Sequence, residues 1–319
     1  MTYEQIMDSC KPSFRKKLQH TIELLRKAEK LALTYDSEDG FFLAFSGGKD
    51  SQALYHSAVL AGVKFKAHMN LTSIDPPEVI RFVKMRYKDV VLHKPKDSIF
   101  NMCVEKKFLL PSRIIRWCCA ELKEGGGSGM VCLTGIRKQE STRRSKRNSV
   151  EVSNRSFSGD LEGFEEWRKK VKNLNQDQFA ETCETDVRCI NGKDKIIINP
   201  IIEWTLQDVW YFLNEVVKVP HCELYDKGWH RIGCILCPMS SVRMKYKEMK
   251  AYPHVKRNWI KAIMRIRAET KGDNMILNND FGGCNEEETC ENIFQWWISG
   301  KSYSKWYADK YLQLKLDLK

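Results

Sequence analysis

The feature that most constrains this chain is a junction. A short apolar run, Phe41-Phe42-Leu43-Ala44-Phe45, is followed by the hexapeptide Ser46-Gly47-Gly48-Lys49-Asp50-Ser51 and then by a helical stretch from Gln52 to Leu60. The run is short, apolar and without alternation, as a parallel strand covered on both faces is. Where such a strand ends and a helix begins, unpaired backbone N–H groups and the helix dipole make an anion site. Gly47 and Gly48 let the backbone approach phosphate oxygens without a side-chain clash, and Lys49 supplies a mobile positive charge. Asp50 can hold Mg²⁺ or orient that lysine, while Ser46 and Ser51 offer hydroxyl groups. The glycines are adjacent and Asp follows Lys, so this is not the loop of kinases and GTPases. Six specified residues recur by chance in a chain of this length only roughly a few times per hundred thousand, which disfavours an ordinary strand-to-helix turn.

The same alternation extends in both directions. From Pro12 to Leu33, Phe14, Leu18, Ile22, Leu25, Ala28 and Leu31 recur at helical spacing and predict a helix packed on the core. Strands are expected at Val63–His68 and Val90–Leu92 with a helix over Pro77–Tyr87 between them, and further strands at Val131–Gly135 and Lys195–Asn199. This order predicts an α/β fold, a doubly wound parallel sheet, with a smaller helical C-terminal unit. The divisions read from composition are an N-terminal helical segment (1–36), a nucleotide-binding domain (37–228) and a C-terminal helical, cysteine-bearing unit (229–319). Residues 143–184, rich in charge, Ser and Asn, are expected to form an exposed insertion over the site, with a helix near Phe164–Trp167. Gly125-Gly126-Gly127-Ser128-Gly129 has the flexibility of a linker but is read as a native loop.

A chain of 319 residues with 42% hydrophobic and 29% charged residues is ordinary for a globular protein. No apolar run approaches the roughly 20 residues of a spanning helix. The start, Met1-Thr2-Tyr3-Glu4-Gln5, has no signal-peptide pattern, so a cytoplasmic protein with no membrane partner is expected. In that compartment thiols stay reduced, and twelve cysteines point to metal or redox work. Lys and Arg total 53 against 41 Asp and Glu, a net charge of +12 that favours polyanionic partners, a nucleotide or a nucleic acid. A solvated basic surface accounts for that charge equally well.

The hexapeptide resembles the signature of the PP-loop (N-type ATP pyrophosphatase) superfamily, whose enzymes cleave ATP between the α and β phosphates. Downstream, Thr134-Gly135-Ile136-Arg137 with Glu140-Ser141 and Arg143-Arg144 resembles the second block of the phosphoadenosine phosphosulfate (PAPS) reductase family in that superfamily. Asn199-Pro200-Ile201-Ile202-Glu203-Trp204 with Asp208-Val209-Trp210 resembles the third, and Asp75-Pro76-Pro77-Glu78 loosely echoes its "PE" segment. The resemblance runs from roughly Phe42 to Pro238 and implies the adenine nucleotide alpha hydrolase-like fold. It implies a nucleotide site made of Ser46, Gly47, Gly48, Lys49, Asp50, Ser51, Gly135, Arg137, Glu140, Arg143 and Arg144, with Lys49, Asp50 and Arg137 catalytic. The arginines are bidentate phosphate donors by chemistry, although Arg144 and Lys146 also fit a solvated basic run. Trp204 and Trp210 are read as core.

Among the cysteines, Cys118-Cys119 and Cys234-Ile235-Leu236-Cys237 form two close pairs far apart in the chain. United by the fold, they make a four-thiolate site for an iron-sulfur cluster or for zinc. Adjacent cysteines are unusual for structural zinc, which favours 4Fe-4S; unligated buried cysteines or a redox pair is the remaining alternative. The pattern resembles the ligation in iron-sulfur adenylylsulfate (APS) reductases, including a following basic residue, here Lys123. Cys10, Cys103, Cys132, Cys183, Cys189 and Cys222 are read as buried or incidental. His221 and His230 are read as hydrogen-bonding partners, and Lys227, Trp229, Arg231 and Arg243 as groups able to steer an anion or tune a cluster.

Three functions fit. The first binds ATP with Mg²⁺, cleaves the α–β bond and adenylylates a target for sulfur transfer, resembling tRNA-thiolation and DNA-phosphorothioation enzymes. Its partners would be a nucleic acid to modify and a sulfur donor such as a cysteine desulfurase. The second reduces APS or PAPS to sulfite, but reductases of this family carry a degenerate loop and a C-terminal Glu-Cys-Gly-Leu-His segment. Here Lys49-Asp50 is intact, and the flanks of Cys284 and Cys290 do not match. The third is a non-catalytic nucleotide-binding partner in defence or regulation.

Overall fold

The computed structural model describes residues 3–106, 110–153, 157–178, 195–270 and 281–317, with side chains outside that description at 171–178 and 311–317. The chain divides into two compact units that interleave along the sequence, unlike the contiguous division drawn from composition: Met1–Asn70, Pro77–His93 and Gly125–Ile232 form one, and Leu71–Pro76, Lys94–Glu124 and Gly233–Lys319 the other.

The first unit is built on a seven-stranded sheet: β1 Phe41–Ala44, β2 Phe65–Asn70, β3 Val91–His93, β4 Val131–Leu133, β5 Val150–Val152, β6 Ser158–Gly159 and β7 Ile196–Ile198, in the order β3-β2-β1-β4-β7-β5-β6. The pairs β3/β2, β2/β1, β1/β4 and β4/β7 are parallel. From β1 the chain winds outward through β2 and β3, then returns to the other side of β1 with β4, so the order reverses between β1 and β4. In open α/β sheets, ligands bind at such a reversal, beyond the carboxyl ends of the strands. The loop expected to take phosphate, Ser46–Ser51 and called the phosphate loop below, follows β1, and Gly135 follows β4.

The expected parallel sheet is there, with an antiparallel edge that the sequence did not announce. β5 pairs antiparallel with β7 and β6 with β5, and Val150 and Val152 are buried. Residues 143–184 therefore do not form a purely exposed insertion: part of the segment extends the sheet, and Val150 and Val152 fill the core. The expected helix runs over Leu161–Gln178, with Phe164 buried; residues 179–184, with Cys183, lie outside the described residues, as does Cys189.

The N-terminal helix spans Pro12–Tyr35 and buries Phe14, Leu18, Ile22, Leu25, Ala28 and Leu31, the face its periodicity predicts. Phe14 meets Trp204 edge-on at 4.8 Å, and the Trp204 indole N–H donates to Thr21 Oγ1 at 3.1 Å. Trp204 is 1% exposed, so it belongs to the core. The glycine-rich loop is packed rather than free. Gly127 has φ +74°, where a Cβ would stand 2.4 Å from Cys132 Sγ, and the Lys195 ammonium donates to Gly126 O at 2.7 Å.

The second unit is helical, with helices Ile99–Glu105, Trp117–Leu122, Val242–Ala251, Pro253–Thr270, Glu286–Ser299 and Tyr303–Asp317. Buried Trp259 packs against Trp297 at 4.7 Å and Phe100 at 5.1 Å. No helix among the described residues is long and apolar enough to cross a membrane.

Candidate functional site

The phosphate loop owes its shape to glycine and serine. Gly47 has φ +69°, and a Cβ there would lie 2.8 Å from both Val79 Cγ1 and Val83 Cγ2, so neither backbone nor space admits a side chain. Ser51 Oγ donates to Gly48 O at 2.9 Å and accepts from the Ser46 backbone N–H at 3.2 Å, drawing the loop into a closed turn. Ser46 Oγ lies 3.1 Å from Ser51 Oγ. The helix Lys49–Ala61 starts here with Gly48 as its N-cap and no side chain capping it. Across the sheet, Gly135 brings the end of β4 against the loop: a Cβ there would sit 2.9 Å from Asp50 O. Thr134 Oγ1 hydrogen-bonds the buried Asn199 Oδ1, tying the ends of β4 and β7.

Three ionic side chains converge on this turn. The Lys49 ammonium contacts Asp50 Oδ2 at 2.9 Å, and Arg137 Nε donates to Asp50 Oδ1 at 2.7 Å. Lys49 is 5% and Arg137 3% exposed, so both cations are largely withdrawn from water. Arg137 also donates to Trp204 O at 3.3 Å, which fixes its guanidinium from behind. Two cations against one carboxylate leave one positive charge in excess. Each Asp50 carboxylate oxygen faces a cation, so Asp50 ties Lys49 and Arg137 together across the turn.

The remaining sequence-predicted residues divide. Glu140 accepts from the Arg137 backbone N–H at 3.2 Å and pairs with Arg144, so it braces the turn that presents Arg137. Arg143 is exposed on the short helix Thr142–Ser145. Trp210 is half-buried and stands edge-on to Tyr225 at 5.0 Å. His221 pairs with Asp226 at 2.9 Å. Tyr225 is the residue that sequence reasoning missed: its hydroxyl accepts from the Lys49 backbone N–H at 2.8 Å. Nothing around Leu224-Tyr225-Asp226 signals this, because the contact spans 176 positions of the chain.

Two turns into the loop's helix, His56 Nε2 lies 3.0 Å from the Tyr87 hydroxyl, which also accepts from Gln52 Nε2 at 3.0 Å. Burial lowers the His56 pKa from 6.5 to about 4, against the pull of Asp89. The fold thus favours the neutral ring: its contribution is complete above about 6.5 and is lost as pH falls toward 4. Denaturant unfolding at pH 7.5 and 4.5 is expected to show a loss on the order of 2 kcal/mol from this group, discounted for its partial exposure. His56→Gln is expected to flatten that part of the profile, and an unchanged profile would remove His56 as its source.

The cysteine pairs both lie in the second unit. Cys118 and Cys119 sit on the helix Trp117–Leu122, and Cys234 and Cys237 close a turn in which the Cys237 N–H donates to Cys234 O at 3.3 Å. The thiols act on one another. A hydrogen bond from Cys118, then the Arg116 guanidinium at 3.2 Å from Cys119 Sγ, hold the Cys119 thiol down at about 5 against burial. The same bond pushes Cys118 up, with burial and the fields of Cys234 and Cys237 adding to it. Packing around the Lys123 ammonium opposes its charge, but Cys234, Asp75 and Cys237 raise it to about 12. Cys234 Sγ donates to Thr72 Oγ1 at 3.4 Å. At Leu236, φ is +59° and the backbone N–H is held by buried Glu248 at 2.7 Å, which shapes the turn between the two thiols. Among the described residues no three His, Cys, Asp or Glu side chains are grouped as ligands of a metal ion. Cys10, Cys103, Cys132 and Cys222 are buried, as expected.

Residues 40–240 match the family model of the phosphoadenosine phosphosulfate reductase domain, well over half of the chain. This chain belongs to that family. The PAPS reductase match takes in the phosphate loop, Arg137 and both cysteine pairs. Two uncharacterized proteins of Methanocaldococcus jannaschii are similar: one is 29% identical over 70% of this chain and 47% of its own length, the other 25% over 71% and 42%. The chain thus spans about half the length of the curated relatives it matches. An adenosine 5'-phosphosulfate reductase of Oceanobacillus iheyensis is 23% identical over 50% of this chain and 54% of its own. Among solved structures, a PAPS reductase of Candida auris in a phosphate complex aligns at TM-score 0.42 and 17% identity, covering 71% of this chain and 96% of that one. The FMN adenylyltransferase of Candida glabrata, with FAD and inorganic pyrophosphate, aligns at 0.43 and 14%, covering 73% and 68%.

Proposed function

We propose that this PAPS reductase-family chain is a PP-loop ATP pyrophosphatase that adenylylates an acceptor for sulfur transfer. The observation that supports it is the pair of buried cations Lys49 and Arg137 joined through Asp50 at the sheet's reversal point, a fixed cationic cradle with an excess positive charge. An acceptor oxygen attacks the α phosphorus, the bond to the bridging oxygen breaks, and pyrophosphate leaves with that oxygen. A sulfur nucleophile then displaces AMP. Ser46, Gly47, Gly48 and Ser51 hold the β and γ phosphates, Lys49 neutralises the leaving group, and Arg137 meets the charge that builds on the α phosphate. Gly135 gives the close approach, Glu140 positions Arg137, and Arg143 and Arg144 extend the cationic rim. Asp50, set between Lys49 and Arg137, would hold Mg²⁺, which would neutralise charge on the polyphosphate. The net charge of +12 suits a nucleic-acid acceptor.

The same proposal gives Cys118, Cys119, Cys234 and Cys237 a 4Fe-4S cluster. The chemistry of the donor set supports it: Cys118 feels the other three thiols, an arginine donates to one sulfur, and a lysine ammonium is raised by two others. N–H groups directed at thiolate sulfur are the usual means of tuning such clusters, whose role here is sulfur carriage or structural support.

Reduction of APS or PAPS is the second reading, favoured by the APS reductase relatives. It needs a nucleophilic C-terminal thiolate. Cys290 is buried, and burial with Glu286 pushes its thiol up to about 12; Cys284 is exposed, with its backbone N–H held by Glu288 at 2.7 Å. Anaerobically purified protein incubated with ATP and Mg²⁺, and separately with APS or PAPS plus thioredoxin, decides between them. Pyrophosphate supports adenylylation and sulfite supports reduction. Nucleotide binding without either product identifies a non-catalytic defence or regulatory partner.

A further inference from the structure

We propose that Tyr225 is a ligand-contacting residue of the phosphate loop, its hydroxyl donating to a β- or γ-phosphate oxygen and so selecting polyphosphate tails over monophosphates. This rests on the ATP-tail reading of Ser46–Ser51.

The argument begins with backbone donors. In a loop of this kind, the first N–H groups of the following helix are those a phosphate would take. At the helix Lys49–Ala61, Gly48 contributes no cap and the first donor, Lys49 N–H, is already held by the Tyr225 hydroxyl at 2.8 Å. That oxygen lies over the loop itself, since a Cβ on Gly48 would stand 3.5 Å from it. A phenol accepting one N–H retains its own proton for donation. Tyr225 therefore passes the donor outward: the amide polarises the hydroxyl, and the hydroxyl presents an O–H where an oxygen of the tail would sit.

Position and protonation are both secured by packing. Trp210 stands edge-on to the Tyr225 ring at 5.0 Å and His221 at 6.0 Å, and the Lys49 ammonium lies 5.8 Å from the ring centre. One tyrosine thus touches both the backbone and the cation of the loop. Burial raises the phenol pKa, so the group remains an O–H donor through the neutral range.

The test is calorimetric titration of the full chain and its Tyr225→Phe variant with pyrophosphate, ATP and AMP. The substitution keeps the ring and its packing on Trp210. Losing a donor to a charged oxygen is expected to weaken pyrophosphate and ATP about 10- to 100-fold, with AMP changed by no more than about twofold. Unaltered pyrophosphate affinity in the variant overturns the assignment. An equal loss for all three ligands overturns it too, because a tyrosine that only supports the fold would weaken every nucleotide alike. Wild-type protein that binds neither ATP nor pyrophosphate refutes the ATP-tail reading itself, a result distinct from either outcome in the variant.

Discussion

Replacing Lys49 with alanine is expected to lower pyrophosphate release from ATP by about two orders of magnitude or more while the protein stays folded. The size follows from burial. A cation 5% exposed acts on the leaving pyrophosphate through little water, and such stabilisation typically contributes a few kcal/mol per donor. Folding survives because Asp50 keeps its second partner: with Lys49 gone, Arg137 Nε still donates to Asp50 Oδ1 at 2.7 Å, so no carboxylate is stranded. Arg137→Ala is less clean, since it would also free Trp204 O of its donor and leave Glu140 bracing a turn with no cation to present. Single-turnover pyrophosphate release with a parallel thermal melt measures both halves. Near-normal release from Lys49→Ala would withdraw the catalytic role, and unfolding would show that the pair serves the fold instead.

The phosphate junction was legible because every element of it is local. An apolar strand, two glycines and a helix start are contiguous, and the backbone needs of Gly47 are written in its own identity. The N-terminal helix was legible for a similar reason: its buried face repeats over many turns, and one misread residue would not have erased the period. The antiparallel edge was not legible. Val150-Glu151-Val152 is too short to show alternation, and it follows the basic run Arg143–Arg147 that reads as solvated loop. Those residues become a strand because β7 presents a free edge, which no local pattern records. Tyr225 illustrates the same limit at the site, where a lone tyrosine carries no motif and its partner is distant in the chain. Asp50 is an intermediate case. Its identity was plain, but the partner of its second carboxylate oxygen depended on where Arg137 came to rest after the close approach of Gly135.

Changing Cys234 to serine is expected to abolish the brown colour and the broad absorbance near about 400 nm of anaerobically purified protein, with iron and acid-labile sulfide falling from about four per chain to near zero. The expectation follows from the number of cations that share these thiols. Lys123 and Arg116 already lean on the group, and on the proposed ligation their charges would balance its thiolates. A serine hydroxyl is a poor ligand for iron and stays protonated, which removes one thiolate while leaving the Lys123 charge in place. The turn itself should persist, because it is held by Glu248 on the Leu236 N–H and by Ile74 O on the Ile235 N–H, neither of which uses the Cys234 sulfur. Circular dichroism of the variant therefore checks that lost iron reflects a lost ligand and not a lost fold. Colourless wild-type protein carrying one zinc per chain would overturn the cluster, and wild-type protein free of any metal would leave the four thiols as a redox or packing group.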